Sequence, residues 1–271
     1  MTALLEVRRL RKVYDGHGRS VEAIRDLSFA CADGELVCIV GPSGAGKTTL
    51  LKCVAGLIPP TSGEVVLGEA RVDGPPPDMA VVFQEYGRSL FPWLTVWRNV
   101  ALPLEQRGGA RGELRGLVDA ALAEVGLADV HGAYPWQLSG GMQQRVAIAR
   151  AIAYRPKVLL MDEPFAAVDA QTRAELEDLT LRVWRRHGVT ILFVTHDIDE
   201  AVYMGQRIVI LSSSPTVVLE DLAVDLGGDR DQITTRSSPR FAELRARVYQ
   251  QIQRAKLRGG AAGAAPPGGN P

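Results

Sequence analysis

The segment "GPSGAGKT", from Gly41 to Thr48, constrains the fold of this 271-residue chain more than any other feature. It fits the pattern G-x-x-x-x-G-K-[ST], in which glycines let the backbone turn tightly around a phosphate group. The apolar stretch "ELVCIV" precedes it, and the helix-like stretch "TTLLKCVAGL" follows it. A buried strand, a glycine-rich turn and a helix in this order begin an α/β unit, so the segment predicts an α/β fold.

The chemistry expected of this segment, called the phosphate loop below, is binding of a nucleoside phosphate. Its backbone N–H groups can point at phosphate oxygens, and the helix N-terminus adds positive potential. Lys47 can reach the β- and γ-phosphates, and the hydroxyl of Thr48 can bind Mg²⁺. A glycine-rich turn without a ligand is the alternative, which the flanking strand and helix disfavour. The expected phosphate-binding residues are Gly41, Pro42, Ser43, Gly44, Ala45, Gly46, Lys47, Thr48 and Thr49.

Two later apolar stretches, "KVLLMD" and "TILFVT", are typical of buried strands, and a helical stretch separates them. This arrangement favours a parallel sheet that is covered on both faces. Asp162 closes the first strand, where a lone carboxylate would be costly without a cation such as Mg²⁺. Glu163 follows directly and suits a general base for the attack of water on the γ-phosphate. A salt-bridged pair at a strand end is the alternative interpretation.

His196 follows the second of these strands, at the end where ligands bind in parallel sheets. Asp197 can cap the next helix, and Glu200 can return to the backbone of the cap residue. A histidine in such a place is usually structural, so its position alone makes His196 a candidate.

The remaining segments predict three further regions. The opening third alternates apolar and polar residues as strands do, and residues 85–150 are largely helical in character. Near the end, Ser238 can cap a helix that begins at Pro239. We expect one domain over residues 1–258 and a disordered tail over 259–271, which is rich in glycine, alanine and proline.

The composition excludes several classes of protein. The 31 basic and 31 acidic residues cancel, which argues against a general nucleic-acid binder. Cys31, Cys38 and Cys53 form no C-x-x-C pair, so we expect small apolar residues in a reducing compartment. No signal-peptide pattern is seen, and no apolar run approaches the roughly 20 residues that cross a bilayer. The chain is therefore expected to be soluble or peripheral.

A second segment, "LSGGMQQR" from Leu138 to Arg145, places a glycine pair at the start of a helix. Together with the phosphate loop, Gln84 in "VVFQE", "VLLMDEPF" and "THD", it makes the chain resemble the ATP-binding subunit of an ABC transporter. The motifs occur in this order, and the resemblance spans residues 3 to about 258. It implies a phosphate-loop nucleotidase core with a parallel sheet, an N-terminal antiparallel β-subdomain and an inserted helical subdomain.

The resemblance also implies roles for individual residues. Tyr14 would stack on adenine, Gln84 would sense Mg²⁺ and the attacking water, and His196 would contact the γ-phosphate. Asp169 resembles the aspartate that communicates across a dimer, although Ala166 stands where that pattern usually has serine.

The "LSGGMQQR" segment, the signature segment below, would not bind the ATP of its own chain. In the family that the chain resembles, Ser139, Gly140 and Gly141 cap the γ-phosphate held by a second copy. The expected assembly is therefore a homodimer that forms with ATP and Mg²⁺ and opens after hydrolysis.

The aromatic stretch "LFPWLTVWRNV" suggests which kind of transporter this is. The string resembles the ATPases of nitrate, sulfonate and taurine importers, and Phe91, Trp93 and Trp97 would line a groove for a permease helix. Packing in the core is the alternative for these aromatics. The expected partners are permease subunits at the cytoplasmic face of the inner membrane and, indirectly, a periplasmic solute-binding protein.

Two other classes remain open at this point. An ABC ATPase without a permease would act on DNA or the ribosome, and a phosphate-loop kinase would share the nucleotide-binding loop. Neither a long coiled coil nor a basic extension supports the first class, and a kinase leaves the signature segment unexplained.

Overall fold

The computed structural model describes residues 3–16, 19–84, 89–106 and 111–262. The chain divides into two compact units. The phosphate-loop unit comprises Ala3–Cys31, Val37–Gly74 and the chain from Thr195 onwards, and the helical unit comprises Ala32–Leu36 and Pro75–Val194.

The described residues form ten strands and seven α-helices, as the predicted α/β class requires. The strands are β1 (Ala3–Gly16), β2 (Arg19–Ala32), β3 (Leu36–Val40), β4 (Ser62–Leu67), β5 (Ala70–Arg71), β6 (Met79–Val82), β7 (Val158–Asp162), β8 (Thr190–Val194), β9 (Arg207–Leu211) and β10 (Thr216–Ala223). The helices are α1 (Lys47–Val54), α2 (Val96–Glu105), α3 (Arg111–Glu124), α4 (Gly140–Ala153), α5 (Ala170–His187), α6 (Ile198–Met204) and α7 (Pro239–Ala262). A 3₁₀ turn over Pro135–Gln137 precedes α4.

In the phosphate-loop unit the strands lie in the order β5-β4-β1-β2-β10-β9-β3. β4 pairs antiparallel with β1 and β5, which confirms the predicted antiparallel β-subdomain. β3 is parallel to β9, with Val40 opposite Ile210. Every residue of β3 is buried, as expected for a parallel strand covered on both faces.

In the helical unit the strands lie in the order β8-β7-β6, and all of them are parallel. β7 and β8 are fully buried and are joined through α5, which confirms the predicted strand–helix–strand unit. Helices α2, α3 and α4 supply the predicted helical character. Val118, Ala121 and Leu122 of α3 are buried, and so is Val125 directly after the helix.

The C-terminal helix α7 begins at Pro239 as predicted. The Oγ atom of Ser238 accepts the N–H of Phe241 at 3.2 Å, so Ser238 caps the helix. The helix continues to Ala262, and residues 259–262, which we predicted as the start of a disordered tail, are helical. Residues 263–271 lie outside the described ranges.

All three cysteines are buried, which confirms their prediction as small core residues. Burial raises the pKa of the Cys38 thiol and raises that of Cys53 to about 11. Both thiols are therefore protonated at neutral pH and are poor nucleophiles. None of the helices within the described ranges has the length and hydropathy that crossing a membrane requires.

Candidate nucleotide-binding and hydrolysis site

The phosphate loop connects β3 to α1 through two left-handed backbone conformations. Gly44 has φ 76° and Gly46 has φ 69°, which residues with a side chain rarely adopt. Gly46 is also the N-cap of α1 and has no side chain that could cap the helix. The amides of the first helical turn have no acceptor within the helix, so this loop presents donors and positive potential to an anion.

Lys47 lies inside the loop and is only 6% exposed. Its Nζ atom donates to the carbonyl oxygens of Gly41, at 3.1 Å, and of Pro42, at 3.2 Å. The ammonium group is therefore held against the backbone that is predicted to surround the phosphates. Thr48 is exposed at the start of α1.

The phosphate loop is also held by a contact with the start of β10, which the sequence did not predict. The hydroxyl of Thr216 donates to the carbonyl oxygen of Ala45 at 2.6 Å and is fully buried. A side chain at Gly41 would have its Cβ atom 3.0 Å from Cβ of Leu211, so the loop also packs closely on the end of β9. These contacts hold the loop in shape within its unit.

Tyr14 lies beside the helix that follows the loop. Its hydroxyl is 3.3 Å from Oγ1 of Thr49, and its ring is 42% exposed. The Nζ atom of Lys12 is 5.2 Å from the ring centroid. An exposed ring fixed at its polar end near the loop suits stacking on a nucleotide base.

His196 is exposed, and a buried hydroxyl organises the backbone around it. The amide of Thr195 donates to the carbonyl oxygen of Ile39 at 3.1 Å. The hydroxyl of Thr195 donates to Oε2 of Glu200 at 2.6 Å and accepts the amide of Asp197 at 3.0 Å. These bonds fix the residues on both sides of His196.

The predicted cap of α6 is correct for Asp197, whose Oδ1 accepts the amides of Asp199 and Glu200 at 2.8 and 3.2 Å. The return contact that we predicted from Glu200 to the cap amide is replaced, because that amide donates to Thr195 instead. The pattern of charged residues missed this because the hydroxyl lies before the cap.

The acidic residues occupy the carboxyl end of β7 in the helical unit. Asp162 is 4% exposed, and Glu163 is half-buried. The amide of Glu163 donates to the carbonyl oxygen of Val194 at 2.8 Å. The Nε2 atom of Gln84 lies 3.5 Å from Oε2 of Glu163, so two residues predicted to handle the attacking water are adjacent.

The signature segment forms the start of α4. Ser139 is the N-cap, with φ −63° and ψ 161°, and its Oγ atom accepts the amide of Met142 at 3.3 Å. Gly140 and Gly141 form the first helical turn. This confirms a glycine pair opening a helix, a shape that suits a phosphate oxygen at the helix N-terminus.

Asp169 caps α5, the helix that lies beside the signature helix. Its carboxylate accepts the amide of Thr172 at 3.0 Å and the hydroxyl of Thr172 at 2.7 Å. These hydrogen bonds lower the pKa of Asp169 below its ordinary value. Ala166 is exposed and carries no group that could replace a serine hydroxyl.

Each unit carries side chains that suit Mg²⁺. Thr48 offers a hydroxyl in the phosphate-loop unit, Gln84 and Asp162 offer an amide oxygen and a carboxylate in the helical unit, and hard cations prefer such oxygen ligands. Within the described ranges, no cluster of three or more His, Cys, Asp or Glu side chains could hold a metal. Mg²⁺ typically takes one or two protein ligands together with substrate phosphates, so it does not require such a cluster.

A phosphate loop after a buried strand, an acidic pair at the end of a parallel strand and a helix opened by a glycine pair define a class, the phosphate-loop ATPases. A family profile described as ABC transporter matches residues 24–166, over half of the chain. The chain belongs to this family, and it is an ATP-binding and ATP-hydrolysing protein of the ABC type.

Three relatives extend the match beyond this profile. The chain is 45% identical to the nitrate import ATP-binding protein NrtD of Synechocystis sp., over 86% of this chain and 87% of the relative. It is 45% identical to the aliphatic sulfonates import ATP-binding protein SsuB 2 of Burkholderia lata, over 93% and 88%. It is 40% identical to the taurine import ATP-binding protein TauB of Roseobacter denitrificans, over 87% and 88%.

A solved structure confirms the fold. The ATP-binding cassette MJ0796, described as a dimer in a post-hydrolysis state bound to ADP and Pi, is 33% identical to this chain. It superposes with a TM-score of 0.73 and covers 82% of this chain and 99% of that structure. The predicted α/β nucleotidase fold is therefore correct.

Proposed function

We propose that this chain is the ATP-hydrolysing subunit of an ABC importer that takes up a small oxyanion or organosulfur compound through a membrane permease. Nitrate, sulfonates and taurine are the solute class that the names of the three relatives suggest. The observation that carries the proposal is their alignment at 40–45% identity over 86–93% of this chain. The non-transport alternative has no comparable support among them.

The phosphate-loop unit supplies the nucleotide-binding groups in this proposal. Tyr14 stacks on adenine, Lys47 binds the β- and γ-phosphates, and His196 contacts the γ-phosphate. The loop amides from Gly41 to Thr49 bind the remaining phosphate oxygens. The left-handed glycines and the buried Thr216 hydroxyl support this role, because they fix the loop before the nucleotide arrives.

The helical unit supplies the groups that act on water. Glu163 accepts a proton from the attacking water as general base, and Gln84 orients that water through its amide. Their separation of 3.5 Å supports a shared water ligand, because one molecule can contact both groups. Asp162 and Gln84 would hold Mg²⁺, which would neutralise charge that develops on the phosphates.

The signature segment is proposed to act on a second copy of the chain. Ser139, Gly140 and Gly141 present a capped helix N-terminus to the γ-phosphate that the partner's phosphate loop holds. The dimeric state of MJ0796 supports this arrangement by analogy. The γ-phosphate then links the two copies, so its departure after hydrolysis opens the dimer.

A cleft in the helical unit is the proposed attachment point for the permease. Its volume is about 520 Å³, and it is lined mainly by apolar side chains, including Phe91, Leu102 and Tyr154. Trp93, two residues after Phe91, is 70% exposed. These observations favour the predicted groove over a core position for Phe91 and Trp93.

Trp97 has a different role from the other aromatics. It is half-buried, and its Nε1 atom donates to Oδ1 of Asp119 at 2.9 Å, which ties α2 to α3. The core interpretation therefore holds for this residue.

The proposed location of the protein is peripheral, on the cytoplasmic face of the inner membrane, and a periplasmic solute-binding protein would deliver the solute.

Extraction from membranes tests the importer proposal. Tagged protein expressed in its own host and solubilised in mild detergent is expected to bring down a polytopic permease. Leu102→Glu places a charge in the apolar cleft and is expected to lose the permease while the isolated subunit still hydrolyses ATP. The matched control, Leu257→Glu, alters a leucine that is 76% exposed on α7 and is expected to retain it. Recovery of ribosomes or DNA instead would overturn the importer proposal.

A further inference from the structure

Gly141 of the signature helix meets the side chain of Thr172 at the start of α5. A Cβ atom added at Gly141 would lie 2.4 Å from Cγ2 of Thr172, closer than carbon atoms approach in proteins. The glycine at this position is therefore required by the chain's own Thr172. The close contact involves a methyl group of the same helical unit and does not depend on a nucleotide.

Thr172 cannot easily turn its methyl group away. Its hydroxyl donates to Oδ2 of Asp169 at 2.7 Å, and its amide donates to Oδ1 of the same carboxylate at 3.0 Å. The hydroxyl and the methyl group share one χ1 angle, because threonine is branched at Cβ. Rotation that relieved a clash at Gly141 would therefore break the hydroxyl bond to Asp169.

A second contact one turn further on fixes the rotation of the signature helix. The Nη2 atom of Arg145 is 2.9 Å from Oε2 of Glu175, and Nη1 donates to the carbonyl oxygen of Val125 at 3.0 Å. Arg145 lies four residues after Gly141, and Glu175 lies three residues after Thr172. Both pairs therefore join the same faces of α4 and α5.

We propose that Thr172 is a positioning residue, whose methyl group fits against Gly141 and joins the Asp169 cap to the signature helix as one rigid body. The inference rests on the proposed function, in which the signature segment binds ATP held by a second copy. Any displacement of Asp169 then moves the amides of Gly140 and Gly141. A misfit at Thr172 impairs dimer formation without changing how the chain binds ATP by itself.

A double-mutant cycle in the ATP-trapped background Glu163→Gln tests this inference. Gly141→Ala is expected to weaken ATP-driven dimerisation by about 10- to 100-fold, because the new methyl group overlaps Cγ2 of Thr172. Thr172→Ser removes Cγ2 and keeps the hydroxyl, and the remaining Cβ and Oγ1 atoms lie 3.7 and 3.8 Å from the added carbon. The double variant is therefore expected to dimerise to within about threefold of Thr172→Ser alone.

Two further variants separate the parts of the contact. Thr172→Val keeps a methyl group against position 141 and loses only the hydroxyl bond to Asp169, so it is expected not to rescue Gly141→Ala. The matched glycine control is Gly116→Ala. Gly116 is exposed on α3, and a Cβ atom added there has no atom within 4 Å, so this variant is expected to dimerise normally. Sedimentation measures the dimer, and a fluorescent ATP analogue measures binding to the single chain, which should not change.

The outcomes distinguish this inference from the proposed function. If the Glu163→Gln chain itself forms no dimer with ATP, the proposed function fails and the inference fails with it. If that chain dimerises but Gly141→Ala has no defect, or a defect that Thr172→Ser does not relieve, only the inference is wrong. If Gly141→Ala does not fold, rescue is measured as recovery of folded, dimerising protein in the double variant, and its absence has the same meaning.

Discussion

Glu163 combines a strained backbone with the most reactive role proposed for any residue of this chain. Its φ is 43°, which non-glycine residues adopt rarely and at a cost on the order of 1–3 kcal/mol. The bond from its amide to the carbonyl oxygen of Val194 holds the strand end in this shape. Arg9 and Arg155 have a similar φ of 45° and 51°, so the strain at Glu163 supports a functional role only together with its position at the end of β7 beside Gln84.

Glu163→Gln is expected to slow ATP hydrolysis by about 10²–10⁴-fold, because the amide cannot accept a proton from water. ATP binding should persist, since Lys47 and the loop amides are unchanged. Steady-state phosphate release and binding of a fluorescent ATP analogue measure the two effects. Glu113→Gln, at an exposed position of α3, is the control and should turn over normally. Normal turnover by Glu163→Gln would show that another group is the base.

The residues that sequence patterns missed share one property, which is that each supports a proposed site residue or its loop through a hydroxyl group. Thr216 supports Ala45 across 171 positions of the chain, and no local spacing indicates such a pair. Thr195 and Thr172 lie one residue from His196 and three from Asp169, inside motifs that drew attention to charged neighbours. Motif matching found the groups that are expected to contact ATP, whereas the hydroxyl groups that hold them could be found only in the structure.

At the level of elements, hydrophobic periodicity was sufficient where a helix has one buried face. Phe241, Leu244, Val248 and Ile252 recur every three or four residues along α7, and they are 3%, 1%, 0% and 7% exposed. The length of α7 was predicted less well, because "LRGGAA" contains two glycines and offers no apolar stripe. Helical backbone there continues to Ala262 against the intrinsic preference of glycine.

Two leucines on α7 allow a matched test of how this helix is held. Leu244 is 1% exposed and Leu257 is 76% exposed. Leu244→Ala is expected to reduce the free energy of unfolding by about 2–5 kcal/mol, because it removes buried methyl groups and leaves a cavity. Leu257→Ala should change it by no more than about 0.5 kcal/mol. Urea unfolding followed by circular dichroism measures both, and equal effects would show that the apolar stripe does not anchor the helix.

At the level of the whole molecule, the proposed active assembly needs two copies of the chain. The formal net charge is zero, so two copies have no net repulsion to overcome when ATP brings them together. The phosphate loop and the signature segment of one copy would then serve two different ATP molecules. Damage to either segment in every chain therefore leaves no intact ATP site in a symmetric dimer.

Mixing two defective chains tests this shared-site arrangement. Lys47→Ala removes the phosphate-binding ammonium, and Ser139→Arg replaces the cap of the signature helix with a bulky side chain. Each variant alone should be nearly inactive. An equal mixture forms dimers of which about half are mixed, and each mixed dimer has one intact site, so about a quarter of all sites recover.

The matched control mixes Lys47→Ala chains with chains that carry both Lys47→Ala and Ser139→Arg. Every dimer in that mixture lacks Lys47 at both sites, so phosphate release should stay at the level of the separate variants. Activity that appears in the first mixture and not in the control requires a site built from two chains. If both mixtures remained inactive while the unaltered chain hydrolysed ATP, each chain would complete its own site. The signature segment would then act on the ATP of its own chain.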